Sequence, residues 1–214
     1  QFFEFERWSS DVGLVNATGK EKPINLTESG YANGAPKFAM DGQMVYYTTD
    51  RYGFRSHGSW GAQDDVEAIF LTEDAHKKFK LSKEEYALWK EEEKDLKSDE
   101  QKKPEPTIEK SDKDSTEPVK PLVIELEGLE DRRERLTIHS SGLADFVVDK
   151  DGENIYYMCT FEEGFNIWKT DFRENETKIL AEVKSSPSQL LFNKAQDKMY
   201  FSNSGKLMEL DIKT

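Results

Sequence analysis

Apolar and polar residues alternate with the two-residue period of half-buried strands in two hairpin-like segments, 12–27 and 166–181, and a second pattern recurs between and beyond them. Three stretches repeat one pattern. They are Phe38-Ala-Met-Asp41-Gly42-Gln-Met-Val45-Tyr46-Tyr47-Thr48, Val148-Asp-Lys-Asp151-Gly152-Glu-Asn-Ile155-Tyr156-Tyr157-Met158, and Phe192-Asn-Lys-Ala-Gln196-Asp197-Lys-Met199-Tyr200-Phe201-Ser202. Each has an apolar strand end, a tight turn of Asp/Gly type and a second strand carrying an aromatic pair. Tyr156 and Tyr200 lie 44 residues apart, and Tyr46 and Tyr156 lie 110 apart. A four-stranded propeller blade takes roughly 40–45 residues. The spacing therefore predicts an all-β fold, a partial β-propeller of about three four-stranded blades truncated at both ends, with a large insertion in one of them.

The blade endings support this. Val12–Thr27, with Gly19 at its turn, and Asn166–Ala181, with Asn175 at its turn, both read as antiparallel hairpins. Residues 1–29 are expected to hold the outer half of a first blade, 35–140 a second, 144–182 a third and 187–214 the start of a fourth. All belong to one propeller domain spanning 1–214. The insertion falls after Val66–Leu71, over residues 73–120. In 73–97 the pattern turns helical: a short helix over Glu73–Phe79, then a capping box at Ser82 and Glu85 and a thin apolar stripe of Tyr86, Trp89 and Leu96. Residues 98–120, with prolines among charged side chains, bury too little to offset ordering entropy and read as a mobile linker.

Charge changes the picture only by exclusion. The net charge of −13 leaves no basic stripe to replace phosphate counterions, which argues against nucleic acid as a partner. The insertion holds 15 acidic and 12 basic residues, the rest of the chain 28 and 18, so the acidity belongs mainly to the blades. No apolar run reaches the ~20 residues of a membrane span, and no signal peptide is visible, although the chain opens mid-pattern. The single cysteine, Cys159, reads as a buried strand residue, and His57, His76 and His139 have no metal-ligand spacing. No cofactor or metal is expected.

The loop from Asp50 to Asp65 is the best functional candidate. It holds three glycines, two arginines, three aromatics and a histidine. Arginine beside exposed aromatics suits recognition of peptide or carboxylate groups, so Arg51, Arg55, His57 and Trp60 are the candidate substrate-recognition residues. The structural alternative is that Asp50 caps a turn while Arg51 pairs with Asp64 or Asp65. His57, Ser59 and Asp64 invite a triad reading, but the strained nucleophile elbow is missing, and no catalytic residue is assigned. Asp64 and Asp65 lack the ligand spacing of a calcium loop. Trp168, Tyr156, Tyr157, Tyr200 and Phe201 are expected in the core. Three glycosylation-type tripeptides, at Asn16, Asn25 and Asn175, fall at turns or strand ends, where Asn and Thr are favoured for backbone reasons.

The repeats resemble the propeller family shared by TolB and the tricorn protease, most clearly at Asp41-Gly42 through Tyr46-Tyr47 to Thr49-Asp50-Arg51-Tyr52-Gly53. Together with Leu81-Ser-Lys-Glu-Glu-Tyr86 and Pro121–Arg132, this pattern looks especially like that of bacterial tricorn-like serine proteases. In those, a propeller precedes a PDZ module and a peptidase domain of the C-terminal-processing type. The third blade departs from the pattern at Phe161-Glu162-Glu163, and the fourth keeps only the Asp197 turn and the aromatic strand. The resemblance implies a non-catalytic segment that recognises or gates peptide or unfolded protein for the parent protein's own PDZ and peptidase domains. It implies a periplasmic location, with the cytoplasm as the alternative. A stand-alone TolB-like interaction propeller of the cell envelope is the second reading. A propeller carrying its own active site is the third.

Overall fold

The computed structural model describes residues 2–3, 9–56, 61–100, 122–160, 164–183 and 187–212. Strands β1 (Phe2–Phe3) and β2 (Ser10–Asp11) pair, as do β3 (Gly13–Leu14) and β4 (Ile24–Asn25). A four-stranded antiparallel sheet follows in the order β5 (Asn33–Ala39), β6 (Met44–Thr49), β7 (Asp65–Phe70) and β8 (Arg133–Arg135). The next has β9 (Leu143–Val148), β10 (Asn154–Cys159), β11 (Asn166–Asp171) and β12 (Glu176–Glu182), again in sequence order. A three-stranded sheet of β13 (Pro187–Phe192), β14 (Lys198–Asn203) and β15 (Lys206–Asp211) completes the series. Each sheet is one blade, or part of one, of a partial β-propeller.

The aromatic pairs explain why the blades stack. Successive strand residues face opposite sides of a sheet, so each pair supplies one ring to the core before it and one to the core after it. Tyr47 packs with Val12 and Leu26 of the first blade. Tyr46 packs with Tyr157, Phe146 and Trp168 of the third. Tyr156 then turns to Leu190, Met199 and Phe201 of the fourth. Each fully buried side chain of this size contributes about 1.5–3 kcal/mol. Tyr200 departs from the expectation. Met199 and Phe201 are buried but Tyr200 is half-exposed, because no described residue covers the outer face of the last sheet.

Polar chemistry ties the same blades at their turns. Gly42 and Gly152 hold the positive φ their turns demand, at 85° and 72°. Gly152 is constrained twice, since a Cβ there would lie 2.7 Å from the Met40 side chain of the preceding blade. The Met40 N–H donates to the Lys150 carbonyl at 3.0 Å, and the Lys150 N–H to Gln196 Oε1 at 3.0 Å, linking three consecutive turns.

Between β7 and β8 the chain forms α1 (Glu73–Lys80) and α2 (Lys83–Glu100). The Thr72 hydroxyl caps α1 by accepting from the Ala75 N–H, and Ser82 and Glu85 bond each other reciprocally at 2.9 and 3.3 Å. Arg173, from the third blade, caps the other end of α1. Its guanidinium donates to the carbonyls of Lys78, Phe79 and Leu81 at 2.5–3.0 Å and stacks over the Tyr86 ring at 4.1 Å. Of the stretch expected as a linker, 98–120, residues 98–100 instead continue α2, and 101–120 lie outside the described residues. Arg132 pins the returning chain by donating to the carbonyls of Phe70, Glu125 and Glu127.

Candidate functional site

The candidate loop joins β6 to β7, at the end of the second blade opposite the insertion, since antiparallel strands send alternate connections to opposite ends. It is itself a small hairpin. Arg55 and Ala62 form a bridge, and the Gln63 N–H donates to the Phe54 carbonyl at 2.9 Å. Gly53 makes this possible: a Cβ at that position would sit 2.0 Å from the Gln63 carbonyl oxygen. The hairpin leaves Phe54 72% exposed and Tyr52 44% exposed. His57, Ser59 and Trp60 lie outside the described residues.

Arg51 and Arg55 are brought together over one ring. Their guanidinium carbons lie 5.1 and 4.7 Å from the centroid of Tyr31, on the connection entering β5. Asp50 orders both sides of the arrangement. Its Oδ1 accepts from the Ala32 N–H at 2.9 Å and from Arg55 at 2.6 Å. The pairing of Arg51 with Asp64 or Asp65 does not occur: its Nε lies 3.7 Å from Glu67 Oε1. Asp65 is engaged elsewhere, by Arg135, Thr137 and Ser140, so the local sequence neighbour was the wrong acceptor.

Beneath the loop sits Glu67, a buried carboxylate that sequence reading passed over as a strand residue. It accepts from the Tyr52 hydroxyl at 2.6 Å and from the Tyr47 hydroxyl. Burial first, and then the bond and charge of Glu67, push the Tyr52 phenol up to about 12. Both tyrosines therefore stay neutral donors and hold the carboxylate that orients Arg51. Asp64 has the opposite situation. Burial, with Asp50 and Asp65 nearby, raises its carboxyl to about 6. The Asp65 arrangement has a counterpart in the first blade. Asp11 accepts from the Thr27 hydroxyl, which in turn accepts from the Val12 N–H, just as Thr137 joins Asp65 to the Val66 N–H. The repeated Asp and Thr could have been found in sequence, had the insertion not stretched their separation from 16 to 72 residues.

Arg51 also faces a pocket of about 690 Å³ between the outer strands of the first two blades, which Ile24, Leu126 and Arg133 help to line. Among the described residues nothing accepts a hydrogen bond from the Arg51 guanidinium, and its side chain is 27% exposed. The arrangement offers charge-assisted donors beside flat aromatic and aliphatic surface. Among the described residues it contains no paired nucleophile and base, and no group of metal-ligating side chains converges.

No model of a known protein family matches the chain, and no curated protein is similar to it at a significant level. Solved structures are similar in fold. The crystal structure of the tricorn protease aligns with a TM-score of 0.54 at 9% identity, over 94% of this chain and 18% of that one. The putative TolB from Agrobacterium tumefaciens aligns with a TM-score of 0.51 at 12% identity, over 97% of this chain and 55% of that one. A puromycin-hydrolyzing peptidase of Mycobacterium tuberculosis gives 0.50 at 11%, over 92% and 25%. The chain thus spans between about a fifth and about half of these proteins, and what it shares with them is the TolB/tricorn-like β-propeller fold.

Proposed function

We propose that this chain is a non-catalytic recognition module that binds peptide or unfolded protein at the β6–β7 loop, for a separate peptidase domain of a tricorn-like parent protein. The observation that carries this reading is the Tyr31–Arg51–Arg55 stack. Two guanidinium groups are held over one ring, exposed aromatics lie beside them, and no described residue accepts a hydrogen bond from the Arg51 guanidinium, whose one ion-pair contact is the 3.7 Å approach to Glu67. Arginine and aromatic side chains dominate the binding energy of protein interfaces. A peptide carboxylate would complete the Arg51 group, and Tyr52 and Phe54 would receive its apolar neighbours. Use of the same surface by a stand-alone TolB-like interaction propeller is the alternative. A periplasmic setting, with the cytoplasm as its alternative, is the expectation carried from the resemblance.

The test is binding of a permanently unfolded protein to the purified chain, and peptide turnover by the parent protein, in Arg51→Gln, Arg55→Gln and Trp60→Ala. Affinity reduced about tenfold, or ~1.4 kcal/mol, with melting unchanged, supports recognition. Unchanged affinity and turnover in all three would sink it. Loss of binding in a parent that shows no peptide hydrolysis would favour the interaction platform.

A further inference from the structure

The opposite end of the second blade carries a larger opening that the recognition loop does not use. It is a groove of about 1080 Å³ between the β5–β6 turn, the two inserted helices and the returning chain at Leu122 and Val123. Its apolar walls are exposed: Phe38 is 54% exposed, Val123 61% and Leu122 43%. Trp89 and Leu81 extend this wall along the helices. Contiguous apolar surface of this kind, bordered by charge, marks a docking site more often than scattered single residues do.

The charges in the groove decide what fits. Lys77 is paired with Glu73 at 2.7 Å, and Lys78 lies over the Trp89 ring at 3.9 Å, where it keeps its charge and is attracted by Glu93 and Asp41. Asp41, Asp74 and Glu93 also line the groove, three carboxylates against two lysines, and Asp41 and Asp74 are exposed with no hydrogen bond or close ion pair among the described residues. Asp41 is presented there by a left-handed turn, with φ of 53°, backed by the interblade bond of Met40. The charge lining the groove is therefore negative in sum, on a chain whose net charge is −13. An acidic occupant would meet like charge, and a purely apolar one would leave both carboxylates beside it without a partner.

We infer that this groove docks a basic amphipathic segment of a partner protein, with its apolar side chains on Phe38, Leu122 and Val123 and its lysine or arginine side chains on Asp41 and Asp74. The site is separate from the recognition loop and does not depend on it. The groove lies where the insertion meets the blade, so the insertion supplies a wall that an uninterrupted blade would lack.

Calorimetric titration of the intact chain with two synthetic peptides tests this. Both carry the same leucine and phenylalanine positions; one has lysine and the other glutamate at every polar position. The basic peptide is expected to bind at least about tenfold more tightly than the acidic one, and to weaken as salt rises. Val123→Glu and the double variant Asp41→Asn/Asp74→Asn should each weaken it about tenfold with melting unchanged, and Arg55→Gln in the opposite loop should leave it unaltered. Equal affinity for both peptides, no binding of either, or binding that survives both groove variants overturns the proposal. So does binding abolished by Arg55→Gln, which would move the site to the loop.

Discussion

Tyr46 and Tyr200 occupy the same place in the same repeated pattern, yet one is buried and the other is half-exposed. Around Tyr46 the third blade closes the sheet. Phe146 meets its ring edge-on at 5.7 Å, and the Val148 N–H donates to its hydroxyl at 3.3 Å. Around Tyr200 the same sheet face is left to Leu191 and Leu207, 60% and 78% exposed, and to Glu209 opposite. The difference teaches that a blade strand has no intrinsic inside. Which of its faces is core depends on whether another sheet stacks there.

The sharpest way to break this comparison is to remove both rings. Tyr46→Ala should cost about 3–5 kcal/mol, the range for deleting a buried aromatic, read as a lower denaturation midpoint. If Tyr46→Ala were as mild as a surface change, the second and third blades would not be packed as described. Gly152→Ala comes next, at about 2 kcal/mol, because the new Cβ meets both a left-handed backbone and the Met40 side chain. Met40→Ala in the same background should recover part of that loss in a double-mutant cycle, since only the steric half is shared.

Asp64 and Asp65 sharpen the contrast on the polar side. Adjacent in sequence, Asp65 has Arg135, Thr137 and Ser140 around it, whereas among the described residues no hydrogen-bond partner reaches the Asp64 carboxylate. The Asp64 carboxyl is held at about 6 in the folded chain against an ordinary value of 3.8, so the folded state binds this proton more tightly than the unfolded state does. Its contribution is thus present below about pH 4 and lost as pH rises through about 6. Asp64→Asn should stabilise the chain at pH 7.5 by about 1–2 kcal/mol, after discounting for its half-exposed position, and flatten the stability profile between pH 4 and 7. An unchanged profile in chemical denaturation would remove Asp64 from the account. The smallest effect belongs to Tyr200→Ala, expected within about 0.5–1 kcal/mol as an incompletely buried position. A loss as large as that of Tyr46→Ala would mean that something covers the last sheet in solution.

Much of the fold was legible because its signals are local. The Asp-Gly turns at Gly42 and Gly152, the Asn175 turn and the Ser82–Glu85 capping box each depend on residues within four positions of one another. The blade period was legible because an aromatic pair recurs. The site was legible only in part. Arg51 and Arg55 were found from composition, but Tyr31, which gathers them, and Glu67, which orients Arg51, were not. Arg173 is the clearest omission. It caps a helix more than ninety residues earlier, and nothing in its own surroundings marks it as a cap.

The sequence by itself determined the strands, their tight turns, the repeat and the place of the insertion, because period and turn chemistry act between near neighbours along the chain. Only the tertiary structure decided which sheet faces became core, which carboxylate met Arg51, and that the inserted helices close a groove against the β5–β6 turn. Those outcomes depend on distances in space between residues far apart in sequence, which alternation and spacing do not encode.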